Sequence, residues 1–157
     1  MIALGLGSNV GDRKDYINRA IEALSKEISS IKVSGIYKTK AWGDENQADF
    51  LNACMIAETD KSPEDLLDII KQIESDLGRT KTHHWGPREI DIDILLYDDK
   101  KLSSQRLTIP HPQLADRAFV LVPLAKIAPD LIEPNLGKTI AELAAQHSNA
   151  GVRLFIS

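Results

Sequence analysis

The chain has 157 residues, a length typical of a single domain, and a formal net charge of −4 at pH 7. Hydrophobic residues make up 43% of it and charged residues 27%, the balance of a folded globular protein. The acidic balance argues against a nucleic-acid binder, and the single cysteine, Cys54, excludes an internal disulfide. The chain lacks a signal-peptide pattern and an apolar run that could cross a bilayer, so we expect one cytoplasmic domain over residues 1–157, with no membrane partner.

The first half of the chain alternates strand and helix patterns, with turn residues between them. The predicted elements, in chain order, are a strand at residues 2–6, a turn at 7–12, a helix at 13–28, a strand at 31–38, a polar loop at 39–48 and a strand at 50–57.

Capping residues mark the next helix. Ser62 as N-cap and Pro63 at the first helical position predict its start, and Gly78 predicts its end. The elements predicted after it are a polar loop at 79–87, a strand at 89–97, a turn at 98–99, an extra strand at 106–109, helical segments at 113–116 and 119–128, a helix opened by a capping box at 139–142, and a strand at 152–156.

The element order β-α-β-β-α-β predicts an α+β fold with a ferredoxin-like core, in which an antiparallel sheet carries its helices on one face. The additional C-terminal helices and strands would cover the second face, and the result would be a three-layer αβα sandwich.

The most informative segment, residues 85–95, has the sequence W-G-P-R-E-I-D-I-D-I-L. Isoleucines alternate with Asp91 and Asp93, and this period of two predicts a strand with both aspartates on one face, their Cβ atoms roughly 6–7 Å apart. Paired carboxylates bind hard cations such as Mg²⁺. The alternative is a half-exposed strand whose outer face is acidic without any function.

Cations and aromatic residues surround this segment. Arg88 precedes Asp91 by three positions, and its planar guanidinium suits phosphate oxygens. Phe50 and Asn52 share a strand face, an arrangement that suits a flat heterocycle. From spacing alone, however, the better interpretation is that Phe50 is a core residue and Asn52 caps a loop. His111 lies between two prolines, where structural and functional roles are equally open.

Five motifs together resemble those of the 6-hydroxymethyl-7,8-dihydropterin pyrophosphokinase family. They are L-G-L-G-S-N-V-G-D-R at residues 4–13, F-L-N-A at 50–53, the segment at 85–95, L-T-I-P-H at 107–111 and D-R-A-F-V-L-V-P-L at 116–124. The resemblance covers nearly the whole chain. It departs from the family pattern at Lys40–Ala41 in the first polar loop and at His84 in the second.

The resemblance implies the transfer of diphosphate from ATP to the hydroxymethyl group of the pterin, with release of AMP, in folate biosynthesis. It implies two Mg²⁺ ions held by Asp91 and Asp93, and catalytic cations at Arg79, Lys81 and Arg88. The further ATP-binding residues that it implies are Glu74, Trp85, Arg106, Thr108, His111 and Arg117. The pterin-binding residues that it implies are Thr39, Trp42, Phe50, Asn52 and Phe119.

ATP and the pterin are therefore the expected partners of a protein that we take to be a monomer. The polar loops at 39–48 and 79–87 would close over the site and exclude water. Two other functions use some of the same residues: a metal-dependent nuclease with Asp91, Asp93 and Glu74, and a small-molecule-binding module without catalysis. The first lacks the excess of positive charge that a nucleic-acid groove needs, and the second leaves the aspartate pair unexplained.

Overall fold

The computed structural model describes residues 1–9, 11–40, 49–78, 90–147 and 151–156. Within them the strands are β1 (Ile2–Ser8), β2 (Ser29–Val33), β3 (Ile36–Thr39), β4 (Phe50–Glu58), β5 (Asp91–Tyr97), β6 (Leu102–Ser103), β7 (Thr108–Ile109), β8 (Ile132–Glu133), β9 (Lys138–Thr139) and β10 (Arg153–Ile156). The α-helices are α1 (Arg13–Ser25), α2 (Pro63–Asp76), α3 (Ala118–Ile127) and α4 (Ile140–Ala145), and a 3-10 helix covers Leu114–Asp116.

A six-stranded sheet forms the centre of the molecule, with the strand order β10-β3-β4-β1-β5 and with β2 also paired to β4. Every pairing in this sheet is antiparallel, as predicted. Two short hairpins, β6-β7 and β8-β9, lie outside it. The protein therefore has a mixed α/β fold built on an antiparallel sheet.

Hydrophobic side chains pack on both faces of this sheet, because alternate residues of a strand point in opposite directions. Leu4 and Leu6 of β1 belong to a cluster that includes buried residues of α1 and α2. Ala3 of β1 and Leu95 of β5 belong to a second cluster with buried residues of α3 and α4. We call these faces of the sheet the α1/α2 face and the α3/α4 face.

The predicted helix boundaries agree well where capping residues set them. The Ser62 hydroxyl accepts a hydrogen bond from the Asp65 backbone N–H at 3.1 Å, and Gly78 follows α2 with φ of +92°. The capping box between Thr139 and Glu142 is present at the start of α4. A side chain that satisfies an otherwise unpaired N–H of the first turn stabilises the helix locally, so sequence alone identifies it.

Three of the predicted elements differ from the structure for an identifiable physical reason. The single strand expected at 31–38 is two strands. At Ser34 the side-chain hydroxyl accepts the Cys54 backbone N–H, while the Ser34 N–H donates to the Cys54 carbonyl, and a side chain therefore replaces the backbone acceptor and interrupts the strand pairing. The first helix ends at Ser25 instead of residue 28, although Ile28 still packs in the core. Gly7 and Ser8, predicted as turn residues, continue β1 because both pair with β4.

The longest described helix, α2, has 14 residues. Among the described residues, no helix combines the length and the apolar character needed to span a bilayer.

Candidate active site

Asp91 and Asp93 begin β5 and lie on the α3/α4 face. Ile92 and Ile94, between and beyond them, are 3% and 4% exposed and pack into the cluster on the opposite face. Both aspartates are partly buried, and they pair across the sheet with Gly7 and Gly5 of β1. The alternation predicted from the sequence is therefore confirmed, and it directs two carboxylates to one side of the sheet.

Repulsion between these carboxylates changes their chemistry. Burial and the charge of Asp91 raise the pKa of Asp93 to about 6, from an ordinary value of 3.8, while the Arg117 charge opposes this shift. A guanidinium nitrogen of Arg117, Nη1, lies 3.7 Å from Asp93 Oδ2. A cation bound at the pair would relieve the repulsion between the two carboxylates.

Arg117 joins the carboxylates to an aromatic residue. It immediately precedes α3, and its guanidinium carbon lies 5.5 Å from the centroid of the Phe119 ring. The Gln113 side-chain oxygen accepts a hydrogen bond from Arg117 Nη2, which holds the guanidinium from the far side. One side chain therefore contacts a metal-binding candidate and a ring-binding candidate at once.

His111 lies within electrostatic reach of the same groups. Its backbone N–H donates to the Leu95 carbonyl of β5 at 2.9 Å, and its Nδ1 accepts from the Gln113 N–H at 3.1 Å. Burial, together with the Arg117 charge, lowers the pKa of the ring, and the Asp91 charge partly offsets this effect. Because Nδ1 accepts a hydrogen bond, the neutral form of the ring carries its proton on Nε2, and this N–H group is a donor suited to a phosphate oxygen.

Phe50, Asn52 and Thr39 lie on the same face, on the other side of β1. Cys54, two positions beyond Asn52, donates from Sγ to the Val120 carbonyl of α3 at 3.3 Å, which fixes the direction of these β4 side chains. Asn52 is 8% exposed, and its Nδ2 lies 3.5 Å from Thr39 Oγ1. Phe50 is only partly buried, so its ring remains accessible.

Glu74 occupies the opposite face. It is 1% exposed on α2, and its Oε2 accepts the backbone N–H of Ile92 at 2.9 Å, while its Oε1 lies 3.3 Å from Lys71 Nζ. Because Ile92 lies between the two aspartates, the Glu74 carboxylate anchors the backbone that carries them.

Two further predicted residues, Arg106 and Thr108, lie just before β7 and on it. Arg106 is exposed and forms an ion pair with Asp68 of α2, and Thr108 is exposed on β7 opposite Ser103. Five predicted residues and most of both polar loops lie outside the described residues; these five are Trp42, Arg79, Lys81, Trp85 and Arg88.

Comparison with known proteins identifies the family. The family model of 7,8-dihydro-6-hydroxymethylpterin-pyrophosphokinase (HPPK) matches residues 3–129. The chain belongs to this family. A 2-amino-4-hydroxy-6-hydroxymethyldihydropteridine pyrophosphokinase from Aquifex aeolicus is 46% identical over 94% of this chain and 92% of its own length, and one from Methylorubrum extorquens is 44% identical over 95% and 94%. The chain is thus an ATP-using pyrophosphokinase, and the resemblance drawn from the five motifs is confirmed.

Solved structures agree with the fold. A crystal structure of wild-type HPPK-DHPS from Plasmodium falciparum superposes with a TM-score of 0.72 at 17% identity, over 93% of this chain. The match spans 43% of that longer chain. At this level of identity the likeness concerns the fold alone.

The aspartate pair fits a Mg²⁺ ion that shares its ligands with a substrate. Within the described ranges, no group of three or more His, Cys, Asp or Glu residues could hold a metal ion. Mg²⁺ commonly takes one or two carboxylates and completes its shell with water and substrate phosphates. Two carboxylates on one strand face fit this requirement.

Sequence reasoning missed Gln113, which bonds both Arg117 and His111. No local pattern signals this role, because Gln113 and Arg117 flank a short 3-10 helix and meet only through its geometry.

Proposed function

We propose that the protein transfers diphosphate from ATP to the hydroxymethyl group of 6-hydroxymethyl-7,8-dihydropterin and releases AMP, as a step of folate biosynthesis. The observation that carries this proposal is the convergence of paired carboxylates, a cation and ring-binding side chains on one sheet face. Membership of the pyrophosphokinase family supports the reaction class.

In this proposal the phosphates bind beside β5. Asp91 and Asp93 would hold two Mg²⁺ ions, and the bound ions would supply neutralisation of the phosphate charge. Arg117 and the Nε2–H group of His111 donate hydrogen bonds to phosphate oxygens. The further ATP contacts are Trp85, Arg106 and Thr108, with Arg79, Lys81 and Arg88 opposing the charge that develops during transfer. Glu74, which is 1% exposed on the opposite face, acts through the backbone of β5 instead of contacting ATP.

The pterin binds on the β4 side of the same face. Phe50 and Phe119 stack on the ring, and the Asn52 amide and the Thr39 hydroxyl bond its polar edge. Trp42 adds an apolar contact from the first polar loop. What supports this subsite is the shared direction of Phe50, Asn52 and Thr39 and the contact between Phe119 and Arg117.

The chemical step is an in-line displacement. The pterin hydroxyl oxygen forms a bond to the β-phosphorus, and the bond from that phosphorus to the α,β-bridging oxygen breaks. AMP leaves with the bridging oxygen, and the hydroxyl proton is released as H⁺ with the products. Such transfers depend chiefly on positioning and on charge stabilisation. Arg117, which contacts both Asp93 and Phe119, is suited to align the two substrates.

The finer architecture belongs to the same proposal. If β2 and β3 count as one interrupted strand, the order β3-β4-β1-β5 is that of a ferredoxin-like core, and helices pack against both sheet faces as a three-layer sandwich requires. The single domain, the monomeric state and the cytoplasmic location stay predictions.

The decisive experiment incubates the protein with ATP, Mg²⁺ and the reduced hydroxymethyl pterin and measures the nucleotide released. We expect AMP in equal amount to the pterin diphosphate. Release of ADP would show a different kinase chemistry, and cleavage of a plasmid under the same conditions would favour a nuclease.

Asp91→Asn and Asp93→Asn test the metal assignment. Each should lower turnover by orders of magnitude and abolish the rise in melting temperature that Mg²⁺ with a non-hydrolysable ATP analogue produces, because bound ligand stabilises the folded state. Asp99→Asn, at an exposed turn after β5, is the matched control and should behave as wild type. Near-normal turnover in either site variant would remove its assigned role.

A further inference from the structure

Two glycines of β1, Gly5 and Gly7, lie on the α3/α4 face between the two halves of the site. Gly7 pairs with Asn52 of β4 on one side and with Asp91 of β5 on the other, and Gly5 pairs with Cys54 and Asp93. Both are part of a regular strand, and neither has a positive φ. An alanine would therefore meet no backbone strain at either position.

The two positions differ sharply in the room that they offer. A Cβ atom built on Gly7 would lie 2.7 Å from Asn52 Oδ1, closer than real Cβ contacts come. A Cβ atom on Gly5 would meet the Leu95 side chain at 3.6 Å, an ordinary van der Waals distance. Only at Gly7 does the missing side chain make space for a neighbour.

The Asn52 amide is the group that uses this space. Its side chain is 8% exposed, its oxygen lies over Gly7, and its nitrogen lies next to the Thr39 hydroxyl. Because the amide is enclosed between β1 and β3, a methyl group on Gly7 cannot be accommodated without displacing it. The displaced amide can then no longer keep its oxygen over Gly7 and its nitrogen beside the Thr39 hydroxyl.

We infer that Gly7 is a positioning residue for pterin recognition: its lack of a side chain sets the orientation of the Asn52 amide. This inference rests on the pterin subsite proposed above. The inference does not extend to Gly5, which lies on the same strand face, because a Cβ atom there would contact the Leu95 side chain and not Asn52.

The test compares Gly7→Ala with Gly5→Ala in steady-state assays of AMP release. For Gly7→Ala we expect the KM for the pterin to rise at least about tenfold, while the KM for ATP stays within about twofold, since Asn52 is assigned to the pterin alone. Gly5→Ala should match wild type in both constants. Equal pterin KM values in the two variants would overturn the inference.

A double variant excludes a merely structural effect. In an Asn52→Ala background the obstructed side chain is absent, so adding Gly7→Ala should change the pterin KM by less than about twofold, a non-additive result. A full additional loss in the double variant would overturn the inference. If Gly7→Ala alone does not fold, the double variant is compared with Asn52→Ala. A double variant that folds and has the pterin KM of Asn52→Ala supports the inference, and one that does not fold or has a higher pterin KM overturns it.

The activities of wild type and Gly5→Ala show whether a negative result contradicts this inference or the proposed function. If neither converts ATP and the pterin to AMP, the proposed function fails. If both do and Gly7→Ala is equally active with an unchanged pterin KM, the inference alone fails.

Discussion

Asp93 is a single residue whose ionisation opposes folding. Its pKa of about 6 in the folded protein lies above its ordinary value of 3.8, so the folded state binds this proton more tightly than the unfolded chain does. The stabilisation from that proton is fully present below about pH 4 and is lost as the pH rises through 6. The metal-free protein is therefore less stable at neutral pH than an uncharged side chain would make it.

Asp93→Asn should consequently stabilise the metal-free protein at pH 7 while it removes activity. We expect an increase of about 1 kcal/mol in the free energy of unfolding, a figure reduced for the third of the side chain that water reaches. Urea unfolding in a chelator between pH 4 and pH 8 measures it, and the difference should vanish near pH 4. Asp99→Asn, which carries the same charge change outside the site, should show no such pH-dependent gain; equal curves for the two variants would contradict the prediction.

Glu74 links two elements, α2 and β5. Its carboxylate accepts a hydrogen bond from the backbone N–H of Ile92, the residue between the two aspartates. Ile92 belongs to β5, which is an edge strand of the sheet. Sequence resemblance implied an ATP contact for Glu74. The structure adds a backbone role that residue type alone could not reveal, because α2 and β5 meet only in the folded chain.

Glu74→Ala should lower the free energy of unfolding by about 1–3 kcal/mol, because it leaves a buried N–H without this acceptor. Glu74→Gln keeps a side-chain oxygen and should recover most of that loss. Urea denaturation measures both, with Ser75→Ala, exposed on the same helix, as the control. If Glu74→Ala is no less stable than Ser75→Ala, the link contributes nothing to stability.

The whole molecule depends on one sheet shared by two hydrophobic clusters. Strands β1, β4 and β5 each contribute to both clusters, so neither helix pair can leave without exposing the common strands. We therefore expect the chain to unfold in a single cooperative transition, as one domain does.

Leu24→Ala on α1 and Leu121→Ala on α3 test this cooperativity from opposite faces. Both side chains are fully buried, and each truncation should cost about 2–5 kcal/mol. Both should shift the same transition, monitored by circular dichroism and by tryptophan fluorescence. Lys126→Ala, exposed on α3, is the control, and separate transitions for the two faces would show two independently folding layers.

The sequence was most informative where a local pattern carries its own physical cause. The alternation around Asp91 and Asp93 identified a strand face, and the Ser62 and Thr139 caps identified helix starts, because each feature acts over a few residues. The family motifs then identified the enzyme class. The antiparallel sheet followed from the element order.

Tertiary structure alone decided which side chains meet. The interruption at Ser34 depends on β4, the Glu74 link depends on β5, and the space at Gly7 depends on Asn52, about 45 positions away in the chain. The contact of Arg117 with both Asp93 and Phe119 arises because α3 packs over the face that carries the carboxylates. Local sequence determines which elements form and which way their side chains alternate, whereas the pairing and packing of distant segments determine the site.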